Sequence, residues 1–388
     1  MEDDQRLGQF IRDRKVIVCV GSGGVGKTTV SAVVALHAAV LGRKVLVLTI
    51  DPARRLANSL GVEALDNEER QIPLAAFEEA GLAPTGELWA MMLDMKRSFD
   101  RLVERYSPNA EVRQSIYDNR LYKYFSTSLA GTQEYSAMER LHELYEEGNY
   151  DLIVLDTPPT VHALDFLDAP KRMAEAVESS ALQWLYKPSL AARKFGFGLF
   201  NIGTSYVLKT LTKFTGAEML DELSKFLFSF QHLFDGFQSR ARRVREILGG
   251  PECAFFIVTS PDPMTVDEAR FFQNRLMDEA IPFAGFIVNR VHEPYLPREA
   301  LEVTSAEVGA QIRAKVADIT PEAAEALGEA LLTNAIEFQI LADLDAQTLK
   351  ALRERSGQKT LIRHIPYFSR DIHSFEGLNW VRQELFGP

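Results

Sequence analysis

KVIVCVGSGGVGKTTVSAVVALHAAVLGRKVLVLTIDP, residues 15–52, decides the fold. Its first six residues are a short β-branched apolar run that stops at Gly21. A glycine-rich turn follows, then TTVSAVVALHAAVLG (28–42), whose length and composition suit a buried helix. After Gly42 a second apolar run, KVLVLTI (44–50), begins. Strand, loop, helix and strand at this spacing make a βαβ unit with parallel strands. Runs of the same kind recur at 151–155 (DLIVL), 254–259 (AFFIVT) and 284–288 (AGFIV). Five such strands with helices between them predict an α/β fold with a doubly wound, mostly parallel sheet.

Two long stretches, 60–147 and 163–248, interrupt the pattern with helix-like spacing, and no strands are expected in them. From Leu220 the apolar positions run Leu220, Leu223, Leu227, Phe230, Phe234, Phe237, Ala241, Val244 and Leu248, alternating steps of three and four. A helix of about 29 residues would be roughly 43 Å long. Phe226, Leu233 and Ile247 widen its stripe, which favours packing in a helical subdomain over an isolated coiled coil. Residues 300–358 read as helical again, and TLIRHIPYF (360–368) as a strand. The expected organisation is a sheet core from 1–60, 148–163, 250–295 and 359–388. Helical insertions at 61–147 and 164–249 form a client or lid subdomain, and 296–358 is a helical segment packed on the core.

Composition narrows the class. The 388 residues are 46% hydrophobic and 25% charged, enough apolar material for a folded core of two or three domains. A net charge of −11 argues against a general nucleic-acid partner, because phosphate backbones require a basic surface. Two cysteines, Cys19 and Cys253, cannot supply a disulfide framework or a four-ligand zinc site within one chain. The acidic start MEDDQRLGQF lacks the basic, then apolar pattern of a signal peptide, and no run reaches the roughly 20 apolar residues of a membrane span. A cytoplasmic location is expected, with any membrane contact peripheral.

Gly21, Gly26, Lys27 and Thr28 fit G-x-x-x-x-G-K-[ST] between a strand and a helix, the context in which this phosphate-binding motif works. The backbone N–H groups of Gly21, Ser22, Gly23, Gly24, Val25 and Gly26 are candidates to approach phosphate oxygens, with the positive end of the helix aimed at the same anion. Lys27 is assigned to the β- and γ-phosphates, Thr28 to Mg2+ and Thr29 to the α-phosphate. Asp51 closes the second strand, at the edge where a carboxylate orients or deprotonates an attacking water. Asp156 closes the third run, the place of a Mg2+-ordering carboxylate. Either aspartate alone would pass for a strand-end cap. Beside the motif, Thr28, Asp51 and Asp156 become the candidate metal set and ATP or ADP the expected ligand.

At this point a family resemblance emerges. GSGGVGKTT (21–29), TIDPARRLANSLG (49–61), DTPPTVHALDFL (156–167) and IPYFSRDIHSFEGL (365–378) resemble the P-loop, two switches and adenine-side loop of the arsenite-pump (ArsA) ATPase family. That family also includes the ATPase that targets tail-anchored membrane proteins, and it belongs to a dimeric P-loop class. The resemblance spans nearly the whole chain and is weak in the helical insertions. It implies that Asp51 is the catalytic switch I aspartate, that Asp156 and His162 are the switch II pair, and that Asn289, with Pro366 and Tyr367, holds the adenine. It further implies an ATPase whose dimer closes on ATP and aligns its helical insertions for an apolar client.

Three positions depart from the family pattern. Ser22 stands where the family has a lysine that reaches the partner's phosphates. A cation of that kind is commonly worth roughly 10³ to 10⁵ in rate. Either Arg54 or Arg55 replaces it, or the chain pairs with a paralogue that keeps the lysine, so both a homodimer and a heterodimer are open. Solvent-facing helix arginines are the plain alternative. No cysteine pair exists to hold zinc or a metalloid, so zinc is not expected, and Val161 replaces the usual glycine of switch II. Between Glu178 and Glu218 five basic residues, Lys187, Arg193, Lys194, Lys209 and Lys213, lie among aromatic and glycine residues without one acidic residue. That composition suits a lid over a hydrophobic groove, a peripheral membrane contact, or a loosely patterned core segment. The leading function is a Mg2+-dependent ATPase governing a hydrophobic binding surface for a protein client or membrane. A nucleotide-binding regulatory subunit with little hydrolysis is the alternative, and a partition or positioning ATPase is less favoured.

Overall fold

A computed structural model describes residues 2–51, 54–128, 132–157, 239–240 and 242–387. Val16–Val20 (β1) is buried throughout and lies at the centre of an eight-stranded sheet. It pairs in parallel with Leu152–Asp156 (β5) on one side and Cys253–Thr259 (β6) on the other. Lys44–Thr49 (β2) lies beyond β5, and Phe283–Val291 (β7) followed by Leu361–Pro366 (β8) extends the sheet beyond β6. Glu87–Met92 (β4) runs parallel to β2, and the two-residue Arg70–Gln71 (β3) pairs antiparallel at the edge. The order is therefore β3-β4-β2-β5-β1-β6-β7-β8. The α/β, mostly parallel sheet expected from the opening stretch is the architecture found.

Side chains alternate between two cores, as the pleat requires. Ile17 and Cys19 of β1, with Val45, Val47, Leu152 and Val154, enter one cluster. Helices Glu2–Asp13 (α1), Lys27–Val40 (α2) and Phe375–Phe386 (α12) cover that face, and ten of the fourteen α2 residues are buried. Val16, Val18 and Val20 point the other way, beneath Thr132–Glu147 (α8) and Pro263–Asp278 (α9). Each fully buried Val, Leu or Ile contributes roughly 1.5–3 kcal/mol of transfer free energy, which makes β1 the anchor of the sheet. Asp262 caps α9, accepting from the Met264 and Thr265 amides, with Pro263 at the first turn.

The expectation of strand-free insertions fails for 60–147. After the short helix Arg55–Ser59 (α3), β3 and β4 lie inside it, separated by Leu74–Glu79 (α4), before the helices Met95–Tyr106 (α5), Ala110–Asp118 (α6), Arg120–Ser128 (α7) and α8. ELWAMM is poor in β-branched residues, so its strand state comes from pairing with β2. Of the 220–248 stripe, only the C-terminal end is described. Val244, Ile247 and Leu248 are buried against the second core, and the rest, with the basic stretch 187–213, lies outside the described residues.

The stretch read as helical over 300–358 forms Ser305–Lys315 (α10) and Pro321–Ser356 (α11). The 36 residues of α11 span roughly 54 Å. α10 packs across its first turns at Gly309 and Gly328, and Leu349 and Leu352 join the second core at the far end. Between them Leu331, Ile336, Ile340 and Leu344 are exposed. Among the described residues no helix is long and apolar enough to cross a membrane.

Candidate nucleotide site

The parallel strands bring their C-terminal ends to one edge, where ligands sit in open α/β sheets. The loop 21–26 leaves β1 at this edge and turns into α2. Gly21 lies so close to β6 that a Cβ there would sit 2.0 Å from the Val258 carbonyl oxygen. Gly26 starts α2 with a left-handed φ of 96°, and a Cβ there would meet Asn289 Nδ2 at 2.2 Å. Asn289 is the last paired residue of β7 before an irregularity, and its amide donates to the Val25 carbonyl at 2.9 Å. The strand expected to carry the adenine contact thus also braces the phosphate loop.

Lys27 is buried, 6% exposed, and its Nζ donates across the loop to the Ser22 carbonyl at 2.8 Å. Burial pushes its pKa down, and Asp156 and Asp51 act against that. Asp156 is fully buried, and its Oδ2 accepts from the hydroxyls of Thr28 and Thr49, each at 2.8 Å. Its Oδ1 is buried without a hydrogen-bond partner among the described residues. Burial raises the carboxyl pKa to about 6, against the two hydroxyl bonds and Lys27. Thr49 also accepts from the Asp51 amide at 3.2 Å, which ties the end of β2 to the same carboxylate. Thr157 closes the edge, donating to the Cys19 carbonyl at 2.8 Å.

Two adjoining cavities lie over this edge. One, of about 460 Å³, is lined by Gly24, Gly26, Lys27, Thr28, Thr29, Asp51, Arg55 and Thr157, among others. The second, of about 510 Å³, is bordered by Gly26, Thr29, Asn289, Pro366 and Tyr367. The Tyr367 amide donates to the Val291 carbonyl, and its ring stacks on His292 at 4.8 Å. Gly21, Ser22, Gly23 and Val25 support the loop without lining either cavity. Arg54 is exposed and borders neither, whereas Arg55 borders the first. Val161 and His162 lie outside the described residues.

The donor set fits Mg2+ with a nucleotide. A hydroxyl and carboxylates are hard oxygen ligands, and a buried carboxylate oxygen without a partner is an acceptor awaiting a cation or its water. Thr28 and Asp156 could hold the metal, Asp51 borders the same cavity as Thr28, and Lys27 and the loop amides could hold the phosphates. Cys19 and Cys253 are both fully buried, with burial pushing the Cys19 thiol up to about 12 and the Cys253 thiol up as well.

Three residues here carry no signal in the motif spacing. Thr49 is marked only by being a hydroxyl at the end of an apolar strand. Glu268 of α9 accepts from the Ser22 hydroxyl, a contact between residues 246 positions apart. Arg290 borders both cavities and reaches the Gly24 carbonyl at 3.4 Å.

Known proteins resemble the chain. The family model described as anion-transporting ATPase matches residues 14–307. The putative arsenical pump-driving ATPase 1 of Aquifex aeolicus is 24% identical over 296 residues, which is 74% of this chain and 65% of that protein. The ATPase get3 of Schizosaccharomyces japonicus is 30% identical over 166 residues, 42% of this chain and 46% of that one. A putative arsenical pump-driving ATPase of Prosthecochloris vibrioformis is 30% identical over 164 residues, covering 41% and 36%. The chain thus spans less than two thirds of the length of these relatives. With a family model covering most of its length and a phosphate loop, helix and carboxylates at one sheet edge, the chain belongs to the anion-transporting (ArsA) ATPase family.

Proposed function

We propose that the chain is a Mg2+-dependent ATP hydrolase that works as a dimer, its nucleotide state controlling an apolar helical surface for a hydrophobic protein client or a membrane. The observation that carries the hydrolase reading is the clustering of Lys27, Thr28, Asp51 and the half-satisfied Asp156 at one edge. In this reading the loop amides and Lys27 hold the β- and γ-phosphates, and Thr29 the α-phosphate. Asp51 orients a water and takes its proton as the oxygen bonds the γ-phosphorus and the bond to the β-phosphate oxygen breaks. Mg2+ bound at Thr28 and Asp156 would neutralise charge on the phosphate oxygens. Asn289, Pro366 and Tyr367 hold the base. The sheet core, 1–60 with β3 and β4, 148–163, 250–295 and 359–388, is the nucleotide unit, and the rest of the two insertions is the client unit.

A second reading is favoured by Ser22. Its hydroxyl is engaged with Glu268 of its own chain, and the side chain at position 22 carries no charge to reach a partner. The chain would then bind nucleotide and rely on a lysine-bearing paralogue for turnover. Calorimetric titration with ATP and ADP, beside phosphate release by the wild type and Ser22→Lys, separates the two. Steady release by the wild type supports self-sufficient hydrolysis. Tight binding with release that appears only in Ser22→Lys supports the regulatory subunit, and absence of nucleotide binding defeats both.

A further inference from the structure

Arg290 follows the Asn289 that braces the phosphate loop, and its backbone is left-handed, with φ of 64°. The other described non-glycine residues with positive φ, Ala280 and Asp318, both lie between elements, where such turns are ordinary. Arg290 alone of the three lies within a strand. The β7–β8 register shifts between Asn289 and Val291, so Arg290 is the extra residue of a bulge. A glycine or asparagine would hold that conformation with less strain, so backbone geometry does not account for an arginine. A bulge next to a binding site typically re-aims a side chain.

The side chain is aimed at the nucleotide edge, with Nη1 3.4 Å from the Gly24 carbonyl. The phosphate-side and adenine-side cavities share Gly26, Thr29, Arg290, Ile372 and His373. Arg290 therefore stands at their junction beside Thr29, the residue assigned to the α-phosphate. Arg55 borders the phosphate side only. Among the described residues no carboxylate forms an ion pair with Arg290, so its charge is not committed elsewhere. It also borders a cleft of about 890 Å³ between α9 and α11, an alternative resting place.

We propose that Arg290 binds the α-phosphate of a nucleoside di- or triphosphate from within the same chain, an inference that rests on the nucleotide-site reading above. A planar guanidinium suits phosphate oxygens, and charge-assisted bonds are the stronger class. Contact at the α-phosphate, common to ADP and ATP, must affect both alike.

The test is titration of wild type, Arg290→Gly, Arg290→Gln and Arg290→Lys with ADP and ATP, beside thermal melts. Arg290→Gly relieves the backbone while removing the charge, so it should melt at or above the wild-type temperature. Its Kd for both nucleotides should rise roughly 10- to 100-fold, as expected on losing a charge-assisted bond. Arg290→Gln should match that loss, and Arg290→Lys should recover part of it. Unchanged Kd in Arg290→Gly and Arg290→Gln would overturn the proposal while leaving the nucleotide site standing. Loss for ATP alone would move the contact to the γ-phosphate and equally overturn it. A wild type that binds neither nucleotide would overturn the site reading, and this inference with it.

Discussion

Gly26 shows how tightly a single residue is held by the site. Its φ of 96° and the 2.2 Å approach expected between an added Cβ and Asn289 Nδ2 mean that Gly26→Ala meets backbone strain and a side-chain clash together. A left-handed conformation costs an L residue about 1–2 kcal/mol. Gly26→Ala should therefore lower the melting temperature and weaken ADP binding at least roughly tenfold through the displaced loop. A variant that melts and binds like the wild type would contradict this. At this scale the motif residues were legible, because Gly26, Lys27 and Thr28 mark the start of a helix by their spacing alone. Thr49, Glu268 and Arg290 were not. Their contacts join distant positions, as with Thr49 on Asp156 and Ser22 on Glu268, and a left-handed bulge leaves no trace in residue spacing.

Among elements, α2 and α12 pack through a stacked pair, His37 and Phe386, with ring centroids 3.9 Å apart and planes 3° from parallel. Burial, then the charges of Arg382 and Arg12, push the His37 pKa down from 6.5 to about 4. The native state thus disfavours the imidazolium that the unfolded chain accepts. Stability from this group is present above pH 6.5 and is lost as the pH falls towards 4. The loss should be on the order of 1–3 kcal/mol. Melts of wild type and His37→Leu between pH 7 and pH 4 check it, since the variant should lack this part of the acid sensitivity. Identical pH profiles would contradict it. The strands around the phosphate loop were legible because they are β-branched runs bounded by turns. ELWAMM was not, because Leu, Ala and Met fit helix and strand alike and only β2 beside it decides. The helical stretch 300–358 divides at Val316–Thr320, where Thr320 and Pro321 open a new helix.

For the whole molecule, the parallel order of the strands is what assembles the site. Residues as far apart as Lys27, Asp51, Asp156, Asn289 and Tyr367 share one edge only because β1, β2, β5, β7 and β8 end there. A net charge of −11 is compatible with the proposed anionic ligand, because the backbone amides, Lys27 and Arg290 proposed to hold it are gathered at one edge, where the net charge is not. The doubly wound class could be read from five apolar runs, whereas whether the proposed dimer pairs like or unlike copies could not, since the residues of one chain do not specify a second. The proposal that this edge hydrolyses ATP is checked by phosphate release from Mg2+-ATP by the wild type, Lys27→Met and Asp51→Asn. Asp51→Asn should still bind ATP while its release falls at least roughly 100-fold, and Lys27→Met should lose both. Equal release from the wild type and Asp51→Asn would contradict it.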